Sequence, residues 1–204
     1  MKLLSLATLA FFVTTTLLAQ EEEYKPAHYY DKEGNRVEGY FSERGSTLRV
    51  LLFKKNLQSK PEKLKTKTLI SLVVGQDSLA VLRNFEVESD ASNMMINIPV
   101  GLGKVLETGK VNLYEAYYLS DGLKVGALNP EYGVNRKVRS IFIVQQQGSE
   151  KFYAVERGID DYIRQMTMYF KISPPIIEKL NNREYSYPQT QHLVHDFNDW
   201  YKNR

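Results

Sequence analysis

The chain has 204 residues, with 27 lysines and arginines against 24 aspartates and glutamates, and a net charge of +3 at neutral pH. It contains no cysteine, which excludes disulfides, cysteine-ligated zinc or iron–sulfur sites, and a lipid anchor attached through cysteine. The charge is too close to neutral to indicate a nucleic-acid-binding protein, whose basic surface is usually larger and more organised.

Residues 1–19 have the three parts of a secretory signal peptide. Lys2 gives a positive start, an apolar stretch follows, and this stretch ends at the small residue Ala19, before the polar residues 20–23. An uncleaved anchor helix is the alternative, but it needs about 20 apolar residues to cross the hydrocarbon core. We therefore expect export, cleavage after Ala19, and a mature chain with no transmembrane segment.

The mature chain is long enough for one domain, which buries roughly 70% of the surface that its unfolded chain exposes. We expect a flexible acidic N-terminus over residues 20–26 and a single α+β domain over residues 27–204. Within this domain, residues 27–156 are rich in strand patterns and residues 158–204 in helix patterns.

Short apolar runs, alternating residues and turn signals predict the strands. The predicted strand segments in the first half of the chain are 28–30, 36–41, 47–53, 69–74 and 79–82. Those in the second half are 94–100, 102–107, 110–119, 137–145 and 150–155. Turns at Gly34 and Gly109 join two of these pairs into hairpins, and Pro99 restricts its strand to an edge or an ending. The apolar residues 141–144 indicate a central strand that is covered on both faces.

From Gly158 onward the apolar period changes from two to about 3.6, which indicates helices. The first helix carries one apolar stripe, formed by Ile159, Tyr162, Ile163, Met166 and Phe170. Ser173 and Pro174 begin a second helix, and a third helix follows Pro188. Strands first and helices last predict an α+β fold, with a single antiparallel twisted sheet of about 8 to 10 short strands followed by three C-terminal helices.

The strongest candidates for ligand binding lie on the predicted strand 110–119. They are Tyr114, Glu115, Tyr117 and Tyr118, in a chain with 14 tyrosines. A tyrosine combines a flat apolar body with a polar tip, which suits interfaces and sugar rings. Glu115 shares its strand face with apolar residues, so either it pairs with a cation or it contacts a ligand. Core packing is the commoner role of a tyrosine, so the structural alternative stays open.

The candidate metal ligands are His192, His195 and Asp199, which lie within about 60° of each other on the last predicted helix. Imidazole and carboxylate groups are proper zinc ligands. However, the histidines are three residues apart rather than four, and no general-base glutamate lies between them. A solvated helix face is the alternative, and any metal site here is expected to be shallow rather than catalytic.

A run of basic residues could contact an anionic surface. Its members are Lys54, Lys55, Lys60, Lys63, Lys65 and Lys67, and Glu62 is the only acid among them. We interpret this run first as a solvated loop and strand edge, since lysines on an edge discourage unwanted strand pairing. Contact with an anionic polysaccharide or an anionic lipid surface is the alternative.

The familiar catalytic constellations are missing from the sequence. No serine lies in a Gly-x-Ser-x-Gly elbow, and the chain has only three histidines as candidate bases. Residues 101–103 (GLG) join two predicted strands, without the following helix that a phosphate loop needs. A glycan hydrolase would need two carboxylates in one cleft, and Glu115 or another acid would act there.

Three segments resemble those of small exported proteins from Bacteroidetes-type bacteria, a domain family of unknown function. They are residues 30–40 (YDKEGNRVEGY), 109–115 (GKVNLYE) and 193–201 (LVHDFNDWY). This chain lacks the cysteine that often precedes the late proline segment in that family, here Ser173 and Pro174. The resemblance implies a one-domain α+β fold and export to the periplasm or cell surface of a Gram-negative-type bacterium, but it transfers no functional residue.

The sequence therefore predicts an exported, non-enzymatic module of the periplasm or cell envelope that binds a partner or small ligand through a tyrosine-bearing sheet surface. We expect no cofactor, and as partner an envelope protein or a glycan rather than a nucleic acid. One alternative is a hydrolase acting on envelope glycans or peptides. The other is a structural envelope protein whose lysine run contacts an anionic surface.

Overall fold

The protein is an α+β fold, as the sequence predicts, and the part of the chain that the structure describes has one ten-stranded antiparallel sheet and three α-helices. A computed structural model describes residues 24–43, 46, 49–88, 95–119 and 138–204. The strands are β1 (Tyr24–Asp31), β2 (Arg36–Ser42), β3 (Val50–Lys54), β4 (Glu62–Lys65), β5 (Leu69–Val74), β6 (Asp77–Glu88), β7 (Met95–Glu107), β8 (Val111–Leu119), β9 (Val138–Gln146) and β10 (Tyr153–Ala154). The helices are α1 (Ile159–Phe170), α2 (Pro174–Asn181) and α3 (Thr190–Lys202).

The strand order across the sheet is β10-β9-β8-β7-β6-β5-β1-β2-β3-β4. Among the described residues, neighbouring strands along the chain pair with each other except for β4 and β5, because β5 pairs with β1 and β6 instead. The predicted turn between β1 and β2 contains Gly34, whose φ of +83° is in the left-handed region that favours glycine. This order places β1, which ends at Asp31, beside β5, which begins only at Leu69.

The two faces of the sheet carry different apolar clusters because side chains alternate along each strand. Face A is the face that carries Leu72, Leu102 and Leu113, and face B is the face that carries Leu82, Tyr114 and Ile143. On face A, β1–β7 enclose one buried cluster, and the three helices cover the end of β8 and β9. On face B, a third cluster lies over β6–β9. β10 contacts β6, although three strands lie between them, so this end of the sheet curls around face B.

The helices pack on the sheet through the apolar stripes that the sequence indicates. Tyr162, Met166 and Phe170 of α1 are fully buried, together with the Leu193 and Phe197 side chains of α3. The cluster that they form includes three strand residues, Val111, Leu113 and Val144. Sheet and helices therefore share one interior. Among the described residues, no helix has the length and apolar character that crossing a membrane requires.

Three details differ from the predicted elements. β7 is one strand over the two predicted segments, and at Gly103 an added Cβ would lie 2.7 Å from Leu82 Cδ1, so this glycine serves packing rather than a turn. Around Pro99, the described residue pairs connect β7 to β6 but not to β8. A proline fits at this position because it has no N–H to donate to a strand on the second side. Residues 24–26, predicted as flexible, pair with β2.

Candidate functional site

A cavity of about 260 Å³ opens on face A, where six strands of the sheet converge. Its lining residues come from β1 and β2, from β5 and β6, and from β7 and β8. They are Lys25, Phe41, Glu43, Val74, Asp77, Leu79, Leu102, Lys104, Glu115 and Tyr117. The strand register produces this convergence, because Leu79 pairs with Lys104, which in turn pairs with Glu115.

The floor of the cavity is apolar. Phe41, Val74 and Leu102 are buried there, and Leu79 packs against the same cluster. These side chains belong to the interior that β1–β7 enclose, so the cavity is an opening in the core and has a preformed floor. A concave apolar floor with a few polar groups around it is the usual form of a small-molecule site.

The rim of the cavity carries three carboxylates and two ammonium groups. Lys25 Nζ lies 3.3 Å from Glu43 Oε1, and Lys104 Nζ lies 2.7 Å from Asp77 Oδ1. Lys25 is thus held by a carboxylate just after β2, and Lys104 by the first residue of β6. Glu115 forms no ion pair with a described residue, and it lines the cavity together with Tyr117. Among the described residues, the rim therefore has one more negative than positive group.

Tyr117 is a stable hydrogen-bond donor at this rim. Burial raises its pKa to about 12, with further contributions from the nearby negative charges of Glu115 and Asp77. Raised pKa values of this kind follow when burial and nearby negative charge both disfavour the phenolate. The hydroxyl therefore stays protonated at neutral pH and is available as a hydrogen-bond donor at the rim.

The structure separates the four predicted ligand-binding residues. Glu115 and Tyr117 line the cavity, whereas Tyr114 lies on face B, 7% exposed, with its hydroxyl 2.9 Å from Gln145 Oε1. The Tyr114 ring packs edge-on against Phe152, with ring centroids 5.9 Å apart. Tyr114 is therefore a core side chain that does not line the cavity. The side chain of Tyr118 lies outside the described part of the chain.

Sequence reasoning missed the lysines and acids that complete the rim. Lys25 lies within the segment predicted as flexible, Asp77 is the first residue of β6, and Lys104 lies inside β7. Only the pairing of β1 with β5 and of β6 with β7 brings them next to Glu115. No local pattern marks these three residues, because the contacts depend on strand order.

The candidate metal ligands fall into two separate groups. His195 lies between two carboxylates, with Nδ1 3.4 Å from Glu107 Oε2 and Nε2 3.2 Å from Asp199 Oδ2. His192 instead has Nε2 3.5 Å from Asp196 Oδ1. Thus Asp199 and the two histidines do not converge on one point. Among the described residues, no group of three or more His, Asp or Glu side chains could hold a metal ion.

The six lysines of residues 54–67 lie at the β3–β4 end of the sheet. Lys63 and Lys65 are exposed on the edge strand β4, and Lys54 ends β3. Lys60 is in the connection and Lys67 follows β4, both exposed. Lys55 pairs with Glu62 at 3.8 Å. Part of the predicted connection is therefore a short edge strand, and its lysines are of the kind that blunt an edge.

Comparisons with family models, with curated protein sequences and with solved structures give no match for this chain. The resemblance to exported proteins of Bacteroidetes-type bacteria therefore stays a prediction. The assignment of the candidate site therefore depends only on the geometry and charges of its residues.

Proposed function

We propose that the protein is an exported, non-enzymatic module that binds a small ligand in the face A cavity. The observation that carries this proposal is the preformed apolar floor beneath a charged rim with Glu115 and Tyr117 at one side. The ligand has an apolar body that covers Leu79 and Leu102, and an ammonium group that meets the Glu115 carboxylate.

The charge of the rim supports an ammonium ligand over an anionic one. Lys25 and Lys104 are each engaged by a carboxylate, so an incoming anion would compete with ion pairs already formed. The Glu115 carboxylate, in contrast, pairs with no described cation and has acceptor positions on both oxygens. A ligand ammonium at this position restores neutrality across the rim, and charge-assisted hydrogen bonds of this type are stronger than neutral ones.

A glycan hydrolase remains the second candidate, because Glu43, Asp77 and Glu115 share one cavity. Two carboxylates in a common cleft are what glycoside hydrolysis requires. Binding is the better supported function, since two of the three carboxylates are tied to lysines and are not positioned as a free acid and base. Incubation with an envelope glycan followed by mass spectrometry separates the two functions, and we expect no cleavage product.

The binding prediction is tested by titrating the protein with 2-phenylethylamine in a calorimeter. We expect a dissociation constant between about 0.1 and 1 mM, which suits a ligand of this size. Neutral 2-phenylethanol and anionic phenylacetate are expected to bind at least tenfold more weakly. Glu115→Gln is expected to weaken the amine by about ten- to hundredfold, the usual value of a hydrogen bond to a charged group.

The matched control is Glu178→Gln, which removes an exposed carboxylate from α2, far in sequence from the cavity strands. It is expected to leave the affinity for the amine unchanged. The proposal is contradicted if none of the three compounds binds, or if the amine binds equally well to the wild type and to Glu115→Gln. Circular dichroism of both variants checks that the fold is intact.

Export is proposed from residues 1–19, which combine a positive start, an apolar stretch and a small-residue end. We expect the mature protein, purified from its bacterial host, to begin at Gln20. Intact-mass spectrometry measures this directly, and a variant with Ala19→Arg is expected to retain the leader because cleavage requires a small residue there. Intact, uncleaved wild-type chain in the cytosolic fraction would contradict export.

A further inference from the structure

A second concave surface lies on the other side of the sheet from the ligand cavity. It is a groove of about 450 Å³ across β5, β1 and β2. The residues that line it are Pro26, Ala27, His28, Arg36, Glu38, Gly39, Tyr40, Lys55, Val73 and Gly75. Tyr40 belongs to face B, because it pairs with Pro26 and its neighbour Phe41 is buried on face A. This groove is therefore independent of the cavity at Glu115.

The groove lies next to the lysine-rich edge of the sheet, which β3 and β4 form. The register places Pro26 opposite Tyr40, and Tyr40 opposite Lys54, in one row on face B. Neighbouring strands are about 4.8 Å apart, so this row spans roughly 10 Å from a proline ring through a tyrosine ring to an ammonium group. Lys54 Nζ also lies 4.2 Å from the centre of the Tyr24 ring, which holds the cation on the same face.

The lysines of β4 continue this surface at the edge of the sheet. Lys63 pairs with Leu52 and Lys65 with Val50, so both lysines lie on face B, like Lys54. Successive face B positions along a strand are about 6.6 Å apart, which spaces the two ammonium groups along the edge. Both side chains are exposed, and neither forms an ion pair with a described residue.

The charge of this region exceeds that of the whole protein. Residues 54–67 contain six lysines and one glutamate, a charge of +5, whereas the full chain has +3. Within the groove itself the charges are partly balanced, because Arg36 pairs with Glu38 at 3.0 Å and Lys55 with Glu62 at 3.8 Å. The unbalanced positive charge therefore lies on the edge beside the groove, where Lys63 and Lys65 stand.

We infer that the groove and the lysine-rich edge, with Lys54, Lys63 and Lys65, together bind one chain of a carboxylated polysaccharide. The sugar rings lie in the groove against Pro26 and Tyr40, and the carboxylates reach Lys54, Lys63 and Lys65. Sugar rings that pack their C–H faces on tyrosine and proline account for the groove, and the exposed Lys63 and Lys65 account for the anionic partner. A bilayer surface would meet the edge lysines but would leave the concave part of face B empty, so a narrow polymer fits better than a membrane.

The test is binding of the full chain to immobilised polygalacturonate, with neutral dextran as the uncharged polymer. We expect binding to polygalacturonate that weakens as salt is added, and no binding to dextran. The double variant Lys63→Gln with Lys65→Gln is expected to weaken binding by roughly tenfold, the combined effect of two exposed charge contacts. Tyr40→Ala is expected to weaken binding at high salt as well, because ring packing is not screened.

The matched control is Lys151→Gln with Lys171→Gln, which removes two exposed lysines from the other half of the protein. Its net charge equals that of the β4 variant, so an effect of overall charge would appear in both. The inference is overturned if the two double variants weaken binding equally, or if dextran binds as well as polygalacturonate. Binding to phosphatidylglycerol vesicles with no binding to polygalacturonate would also overturn it, in favour of a membrane contact.

Discussion

Replacing Gly39 with alanine is expected to lower the free energy of unfolding by about 3 kcal/mol or more, the upper range for an overpacked core. An added Cβ at this position would lie 2.2 Å from the Lys54 carbonyl oxygen and 2.6 Å from the Phe53 ring. Neither neighbour can withdraw easily. Lys54 belongs to the pairing of β2 with β3, and Phe53 is 1% exposed in the face A cluster. Urea denaturation followed by circular dichroism measures the effect.

Gly34→Ala is the control for this experiment. Gly34 has open space where a Cβ would stand, but its φ is +83°, so alanine costs only backbone strain there, about 1 kcal/mol. Comparing the two variants separates steric collision from loss of glycine's conformational freedom. A Gly39→Ala protein as stable as Gly34→Ala would mean that β2 and β3 can move apart, contrary to the packing described here.

The elements of this fold are largely readable from local sequence. A glycine turn at Gly34 and another at Gly109 predict the two hairpins in which they lie. The stripe from Ile159 to Phe170 predicts α1 because its period of about 3.6 residues is that of a helix. These signals act between residues that are close in the chain, so no knowledge of the tertiary structure is needed to use them.

The strand order could not be read in the same way. β1 could pair on its second edge with any other strand, and nothing in residues 24–31 specifies β5. The pairing buries the face A cluster, which is a property of the whole sheet. For the same reason Lys25 and Lys104 could not be assigned to one rim before the register was known.

The candidate site was readable in part. Alternation along β8 places Glu115 and Tyr117 on one face and Tyr114 on the other. It does not reveal which face is covered. The curl that brings β10 near β6 places Phe152 against Tyr114 and buries it, while Tyr117 is left at the cavity. Neighbouring residues of the same type therefore have different surroundings.

Asn198 joins α3 to β8 through two hydrogen bonds. Its replacement by alanine is expected to lower the free energy of unfolding by about 3 kcal/mol. The Val111 N–H donates to Asn198 Oδ1 at 3.0 Å, and Asn198 Nδ2 donates to the Val111 carbonyl oxygen at 2.8 Å. Asn198 is 3% exposed, so alanine leaves a buried backbone donor and a buried acceptor without these partners, each at a cost of about 1 to 3 kcal/mol. Urea denaturation measures the loss.

Asn203→Ala is the matched control, because Asn203 is an exposed asparagine just after α3 whose Nδ2 donates to the Asp199 carbonyl oxygen at 2.9 Å. Its loss is expected to cost less than about 0.5 kcal/mol, as for an ordinary surface substitution. We expect Asn198→Ala to unfold in one transition at a lower urea midpoint, since Val111 packs in the same cluster as Phe197. Two separate transitions, the helices first and the sheet later, would contradict the shared interior of sheet and helices.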